Sequence, residues 1–151
     1  MAETQPQDDG TAYIPVSVEK VGYTDSTGMQ GVLVLASGDG RRLPVSAFSG
    51  EVASHIQRFL GGDRISIPTI YNMIEELAER ESLLLETIEI YESGNVLRSD
   101  LFFKTKEKEL VLRNYRASDA IALAVYAEAT IHVQSRLLRN IDGPSESTDL
   151  R

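Results

Sequence analysis

The stretch from Tyr115 to Val133, Y-R-A-S-D-A-I-A-L-A-V-Y-A-E-A-T-I-H-V, constrains the fold more than any other part of the chain. Between Asp119 and Ala127 every residue except Asp119 and Tyr126 is small or aliphatic, and the apolar side chains run all round the helical wheel. A helix that is apolar on every side is stable in water only when neighbours enclose it, so the pattern predicts a mostly buried helix over about 118–127. Ser118 stands where an N-cap belongs, its hydroxyl placed to accept from the N–H of Ala120 or Ile121, and Asp119 in the first turn complements the positive end of the dipole. Arg116 fits less well. A cation beside a helix N-terminus is repelled unless a carboxylate or a bound anion offsets it, and that misfit is the first functional clue.

Enclosing such a helix takes layers on several sides, and 151 residues with 42% hydrophobic content suffice for one domain with a sizeable core. Residues 1–11 and 142–151 are polar and poor in packing side chains, and are expected to be disordered tails around a domain spanning 12–141. Within it, Ile14, Val16 and Val18 alternate in a half-buried strand over Tyr13 to Gly22, with Pro15 where an edge position tolerates a missing N–H. Gly31 to Ala36 is a continuous apolar run suited to a strand covered on both faces, and Ser37-Gly38-Asp39-Gly40 turns it into Arg42 to Phe48.

Ser49 is placed to cap a helix with Val52, Ala53, Ile56, Phe59 and Leu60 on one stripe, ended by Gly61-Gly62. A second helix starts near Thr69, with Ile70, Met73, Ile74, Leu77 and Ala78 expected on its buried side and Glu75, Glu76, Glu79 and Glu81 outside. Strands follow over Leu83 to Glu92, Val96 to Lys104 and Glu109 to Asn114. After the buried helix come a short strand, Thr130 to Gln134, and a last helical turn at Leu137 and Leu138. Two groups of strands with helices between and after them describe an α+β domain: a mixed, largely antiparallel sheet packed by three to four helices. The exposed first strand favours edge pairing or a dimer, against which Pro15 and Lys20 are equally readable as guards.

Charge and composition narrow the chemistry. A net charge of -8 weighs against a surface that binds nucleic acid or anionic membrane indiscriminately, so a polyanion must meet a local patch. Cysteine is absent, which removes thiolate nucleophiles and cysteine-ligated metals. No signal peptide or membrane-length apolar run is present, so a cytoplasmic location without a membrane partner is expected. The basic cluster Arg98, Lys104, Lys106, Lys108, Arg113 and Arg116 is readable as a polyanion track or as guarded strand edges. His55 lies beside the stripe of its helix and His132 inside an apolar strand; each is a packed histidine or a general base.

The run Arg116-Ala117-Ser118-Asp119-Ala120-Ile121-Ala122-Leu123-Ala124, followed by Ile131-His132-Val133, resembles the signature of the bifunctional nuclease (BFN) domain family. The likeness extends upstream through Leu43-Pro44-Val45, the helix start at Gly50-Glu51, Pro68 and Met73-Ile74-Glu75-Glu76-Leu77, covering Tyr13 to about Asn140. It implies a small, often self-associating α+β protein, with DNA and RNA as substrates of a nuclease. Three departures stand out: Tyr71-Asn72 where members commonly carry His-Asp, Asn114 where they often carry Asp, and Ala117 where they carry Pro. Two carboxylates have thus become amides.

Three functions follow from these residues. In the first, a metal-assisted nuclease, Arg116, Ser118 and Asp119 are catalytic and Asp119 is a ligand of magnesium or manganese, since phosphodiester cleavage commonly uses a carboxylate-held divalent ion. Tyr71, Asn72, Arg113, Asn114, Lys104 and Lys106 then contact the nucleic acid. The second is a binder of nucleic acid or nucleotide that uses the same residues without turnover. The third is a homo-oligomeric interaction protein in which Arg116 and Asp119 merely pair with each other.

Overall fold

A computed structural model describes residues 9–140. In chain order it holds β1 (Tyr13–Tyr23), β2 (Gln30–Ser37), β3 (Arg41–Ser49), α1 (Gly50–Leu60), α2 (Ile70–Arg80), β4 (Leu84–Ser93), β5 (Val96–Lys104), β6 (Glu109–Arg116), α3 (Ala117–Ala127) and β7 (Thr130–Gln134). A 3-10 turn at Ser135–Leu137 and β8 (Arg139–Asn140) complete it. The eight strands form one mixed sheet in the order β6-β5-β4-β7-β1-β2-β3-β8, so the α+β expectation holds.

One short strand joins the two strand groups. β7 pairs antiparallel with β1 through Ile14↔Val133 and Val16↔Ile131, and parallel with β4 through Ile88↔Ile131 and Ile90↔Val133. A parallel partner needs a crossover, and α3 supplies it, carrying the chain from β6 across β5 and β4 to β7. With the sheet beneath it and α1 and α2 alongside, α3 buries Ile121, Ala122 and Ala124 completely. Its alanines let α1 approach closely, and Ala53 of α1 is equally enclosed. Leu33, Leu35, Ile56, Ile88, Ile90 and Val133 fill the space between sheet and helices.

Several expectations need correction. Ser118 is not the N-cap of α3. The cap is Arg116, extended at φ -64 and ψ 137, and no side chain bonds there. β6 runs straight into the helix, leaving no loop residue to act as a cap, so Ser118 becomes the second helical residue and is buried. β1 is internal and not an edge; Pro15 is tolerated because the β1–β2 ladder begins only at Val16. α2 leans on α3 and β4 along one flank, so of the stripe expected to be buried only Ile74 and Ala78 pack against the core, partly buried beside an enclosed Tyr71, while Ile70, Met73 and Leu77 are 53–59% exposed.

At the front of the domain, the carbonyls of Gly10 and Ala12 accept from the N–H groups of Arg136 (3.2 Å) and Ser135 (2.7 Å). Residues 9–11 are therefore part of the fold; the remainder of the two expected tails lies outside the described residues. At the other end the helical turn is a single 3-10 turn, and β8 then pairs with β3, a strand the sequence did not announce. Among the described residues no helix is long and apolar enough to cross a membrane.

Candidate functional site

The start of α3 opens on a cleft of about 360 Å³. One wall is Pro44–Phe48 at the end of β3, another is the tip of the β4–β5 hairpin at Asn95–Arg98, and Arg116, Ala117 and Ser118 form the floor. β3 bulges here, fitting Ser46 and Ala47 into its ladder with β2, and Ala47 takes the left-handed conformation at φ 62. The first turn of any helix leaves N–H groups without intrahelical acceptors, and α3 provides no capping side chain for them. Arg98 and Arg116 lie directly opposite each other across the β5–β6 ladder, and both line the cleft. Like charges placed so are mutually destabilising. Asp119 answers one of them: Nε and Nη2 of Arg116 each lie 3.0 Å from its Oδ2. Arg98 pairs with no carboxylate among the described residues.

Behind Asp119 the helices bring further titratable groups together. Ser49 caps α1 by accepting from the N–H of Glu51 at 3.1 Å, which sets Glu51 in the first turn. Tyr71, only 5% exposed, packs edge-on against His55 (5.8 Å between ring centres) and Phe59 (5.9 Å). Burial first, then the charges of Asp119 and Glu51, push its phenol up to about 12, with Arg116 opposing. His55 is shifted the other way, below its usual range, by burial and then by the Arg58 guanidinium, with Glu51 opposing. Arg58 donates to Nδ1 of His55, which leaves the ring proton on Nε2.

Over residues 33–145 the sequence matches the bifunctional nuclease domain. The chain belongs to that family. No curated protein matches it. The match takes in every residue lining the cleft. It begins inside β2, although β1 lies between β7 and β2 within the same sheet.

Within this BFN domain the residues singled out by sequence fall into three places. Arg116, Ser118 and Asp119 come together at the cleft floor and its edge. Asn72 caps α2 instead of facing the cleft. Its Oδ1 accepts from the N–H (2.9 Å) and hydroxyl (2.6 Å) of Thr69, and its Nδ2 donates to the Arg64 carbonyl (3.0 Å) and to the Tyr126 hydroxyl (2.6 Å). Every hydrogen-bonding position of that amide is used internally. Tyr71 sits beside it in the packing.

Asn114 is left-handed at φ 70, a conformation asparagine tolerates, and its N–H donates to Asp100 Oδ1 at 3.0 Å; Arg113 holds Oδ2 of the same carboxylate at 3.1 Å. Lys104 pairs with Glu86 at 2.5 Å, six residues and so about 20 Å along β5 from Arg98, with Lys106 in the turn beyond. His132 alternates with buried Ile131 and Val133 and does not line the cleft; it lies opposite Glu89 across the β4–β7 pair, and Glu89 lies in turn opposite Asp100 on β5, the carboxylate that Arg113 and Asn114 hold.

Sequence reasoning overlooked Arg98, Glu51 and Ala47. Arg98 was visible only as one member of a basic cluster and Glu51 only within the Gly-Glu helix start, while nothing in the sequence marks Ala47 as left-handed. Among the described residues no group of three or more His, Asp or Glu side chains is arranged to hold a metal. Asp119 is a single carboxylate already engaged by Arg116, so the residues present do not make a magnesium or manganese site by themselves.

Proposed function

We propose that this BFN-domain protein holds a phosphodiester of DNA or RNA at the N-terminus of α3 and, in keeping with its family, cleaves it. One observation carries the reading: two arginines and an uncapped helix N-terminus open on the same cleft. Helix N-terminal N–H groups and guanidinium forks are matched to phosphate oxygens, and both gain strength where water is partly excluded. Arg116 grips the phosphate, Asp119 fixes the orientation of Arg116, Arg98 provides a second grip, and Ser118 lines the floor. In a chain of net charge -8 such a local patch is what a polyanion needs. Contacts of this kind address the backbone and not the bases, so little sequence preference is expected. In hydrolysis, attack by water at phosphorus and departure of the leaving oxygen concentrate charge on the phosphoryl oxygens, which the arginines stabilise. No step is assigned to a metal, for want of ligands. A cytoplasmic location, where both nucleic acids occur, is part of the proposal.

A second reading, binding without cleavage, is favoured by Asn72 and Asn114. Both stand where family members often carry carboxylates, and here one is a helix cap and the other a left-handed backbone position. Labelled single- and double-stranded DNA and RNA, incubated with purified protein in magnesium, manganese or chelator, separate the two. Cleavage that falls by roughly 100-fold or more in folded Arg116→Ala supports the first reading. Binding without cleavage by the wild type establishes the second. An Arg116→Ala protein with full activity and full affinity overturns both.

A further inference from the structure

Ile88, Ile90, Ile131 and Val133 are buried against the helices, so the residues that alternate with them on β4 and β7 point to the opposite face of the sheet. Two rows cross that face. In the first, Arg116, Arg98 and Tyr91 stand opposite one another on β6, β5 and β4, and Gln134 and Tyr13, themselves opposite, extend the row onto β7 and β1. In the second, Asp100, Glu89 and His132 stand opposite one another on β5, β4 and β7. Asp100 is fully engaged, its Oδ1 accepting from the Tyr91 hydroxyl at 2.8 Å and from the N–H of Asn114, its Oδ2 held by Arg113. Glu89 is half-buried yet forms no hydrogen bond or ion pair among the described residues. Burial pushes its carboxyl above the usual range, with His132 opposing and Asp100 adding to the rise. A carboxylate set opposite another and given no donor is an acceptor in want of one. Arginines surround the two acids: Arg98 and Arg116 in the first row, Arg113 on Asp100, and Arg136, which donates to Gln134 Oε1 at 3.1 Å. Four cations against two carboxylates make this patch positive in a chain of net charge -8.

We propose that this face seats an unpaired base of the strand whose phosphate the cleft holds: the base stacks on Tyr91 and donates from its amino group to Glu89, so the nucleic acid bound is single-stranded. The inference rests on phosphodiester binding at the cleft and names its substrate class. Arg98 belongs to both places, lining the cleft and standing opposite Tyr91. Neighbouring strands lie about 4.8 Å apart, a step that one nucleotide spans from phosphate to base. The bond from the Tyr91 hydroxyl to Asp100 fixes the ring in advance, so little freedom is lost when a base stacks on it. Charge selects which part of the nucleotide sits where. Phosphates are drawn to the arginines at the rim and repelled by Glu89, whereas the amino groups of cytosine, adenine and guanine are donors that a carboxylate accepts. Uracil and thymine offer only a ring N–H between two carbonyl oxygens, which the carboxylate repels. In a duplex the ring faces are stacked and the pairing edges are occupied, so neither contact forms. The base contact thus adds, at one position, a preference that phosphate contacts lack.

The test is fluorescence anisotropy of the full chain with labelled oligo-dC, oligo-dT and a duplex of the same length, in chelator, for the wild type and for variants with unchanged circular dichroism. The wild type is expected to bind oligo-dC about fivefold or more tighter than oligo-dT, and the duplex more weakly than either. Tyr91→Ala should weaken oligo-dC binding about tenfold, while Tyr91→Phe, which keeps the ring, retains most of the affinity. Glu89→Gln, a variant that keeps the side chain's shape, should remove the preference for dC over dT. Arg116→Ala, measured alongside, separates the two readings. If it weakens binding while Tyr91→Ala and Glu89→Gln leave both affinity and preference intact, the base seat is overturned and the phosphate contact stands. If Arg116→Ala also changes nothing, both fall. A duplex bound as tightly as the single strands overturns the proposal as well.

Discussion

Arg116 and Asp119 show how one pair serves two purposes. Both side chains are substantially exposed, 68% and 40%, so their ion pair contributes no more than about 0.2–1 kcal/mol to stability. Its larger effect is on orientation. Asp119→Asn should therefore leave the thermal midpoint nearly unchanged while weakening oligonucleotide binding, as comparing a melting curve with a fluorescence titration would show. Ala47 makes a separate prediction. A left-handed alanine costs about 1–2 kcal/mol, of which the greater freedom of glycine in the unfolded chain returns ~0.5–1, so Ala47→Gly should raise stability by roughly 0.5 kcal/mol in urea titration. His55 sets a pH dependence. Its pKa is depressed in the folded state, so the unfolded chain binds more protons below the usual 6.5, and stability is expected to fall as pH drops below that value. In His55→Gln the slope should flatten. Of these features the Arg116–Asp119 pair was legible from its spacing, whereas the conformation of Ala47 depends on a bulge that only the β2–β3 register reveals.

Among the elements, two helix starts were the most legible, because a cap is local chemistry: Ser49 caps α1 as expected, and α2 starts beside Thr69 as expected, with Thr69 itself as the cap. The start of α3 was misplaced by two residues for the opposite reason. Its cap is decided by where β6 stops pairing with β5, a long-range fact. The facing of α2 was also non-local. Its apolar arc is broad enough to serve either flank, and only the positions of α3 and β4 decide which flank the core takes. The loop before β2 pins α1 in a way that can be tested. The N–H of Gly50 donates to the Met29 carbonyl at 2.9 Å, and a Cβ there would stand 1.8 Å from the Gly28 carbonyl oxygen. Because that obstacle is backbone, Gly50→Ala should cost at least about 1–3 kcal/mol and displace Glu51 with the helix start.

At the scale of the whole molecule, β7 makes one sheet of two strand groups, and α3, which leads into it, is both the centre of the core and the floor of the cleft. The buried character of α3 was readable because it is written in nine consecutive residues. The strand order was not, since nothing local tells β1 to sit beside β7. An acidic chain that meets a polyanion through two arginines should bind it with a marked salt dependence. The most direct measurement is the affinity of fluorescent single-stranded DNA and RNA across salt concentrations for the wild type, Arg98→Ala and Arg116→Ala. Phosphate contact predicts weaker binding in both variants and a drop of about 1 in the log–log salt slope for each arginine removed. Unchanged affinity and slope in both would contradict a phosphodiester at this cleft.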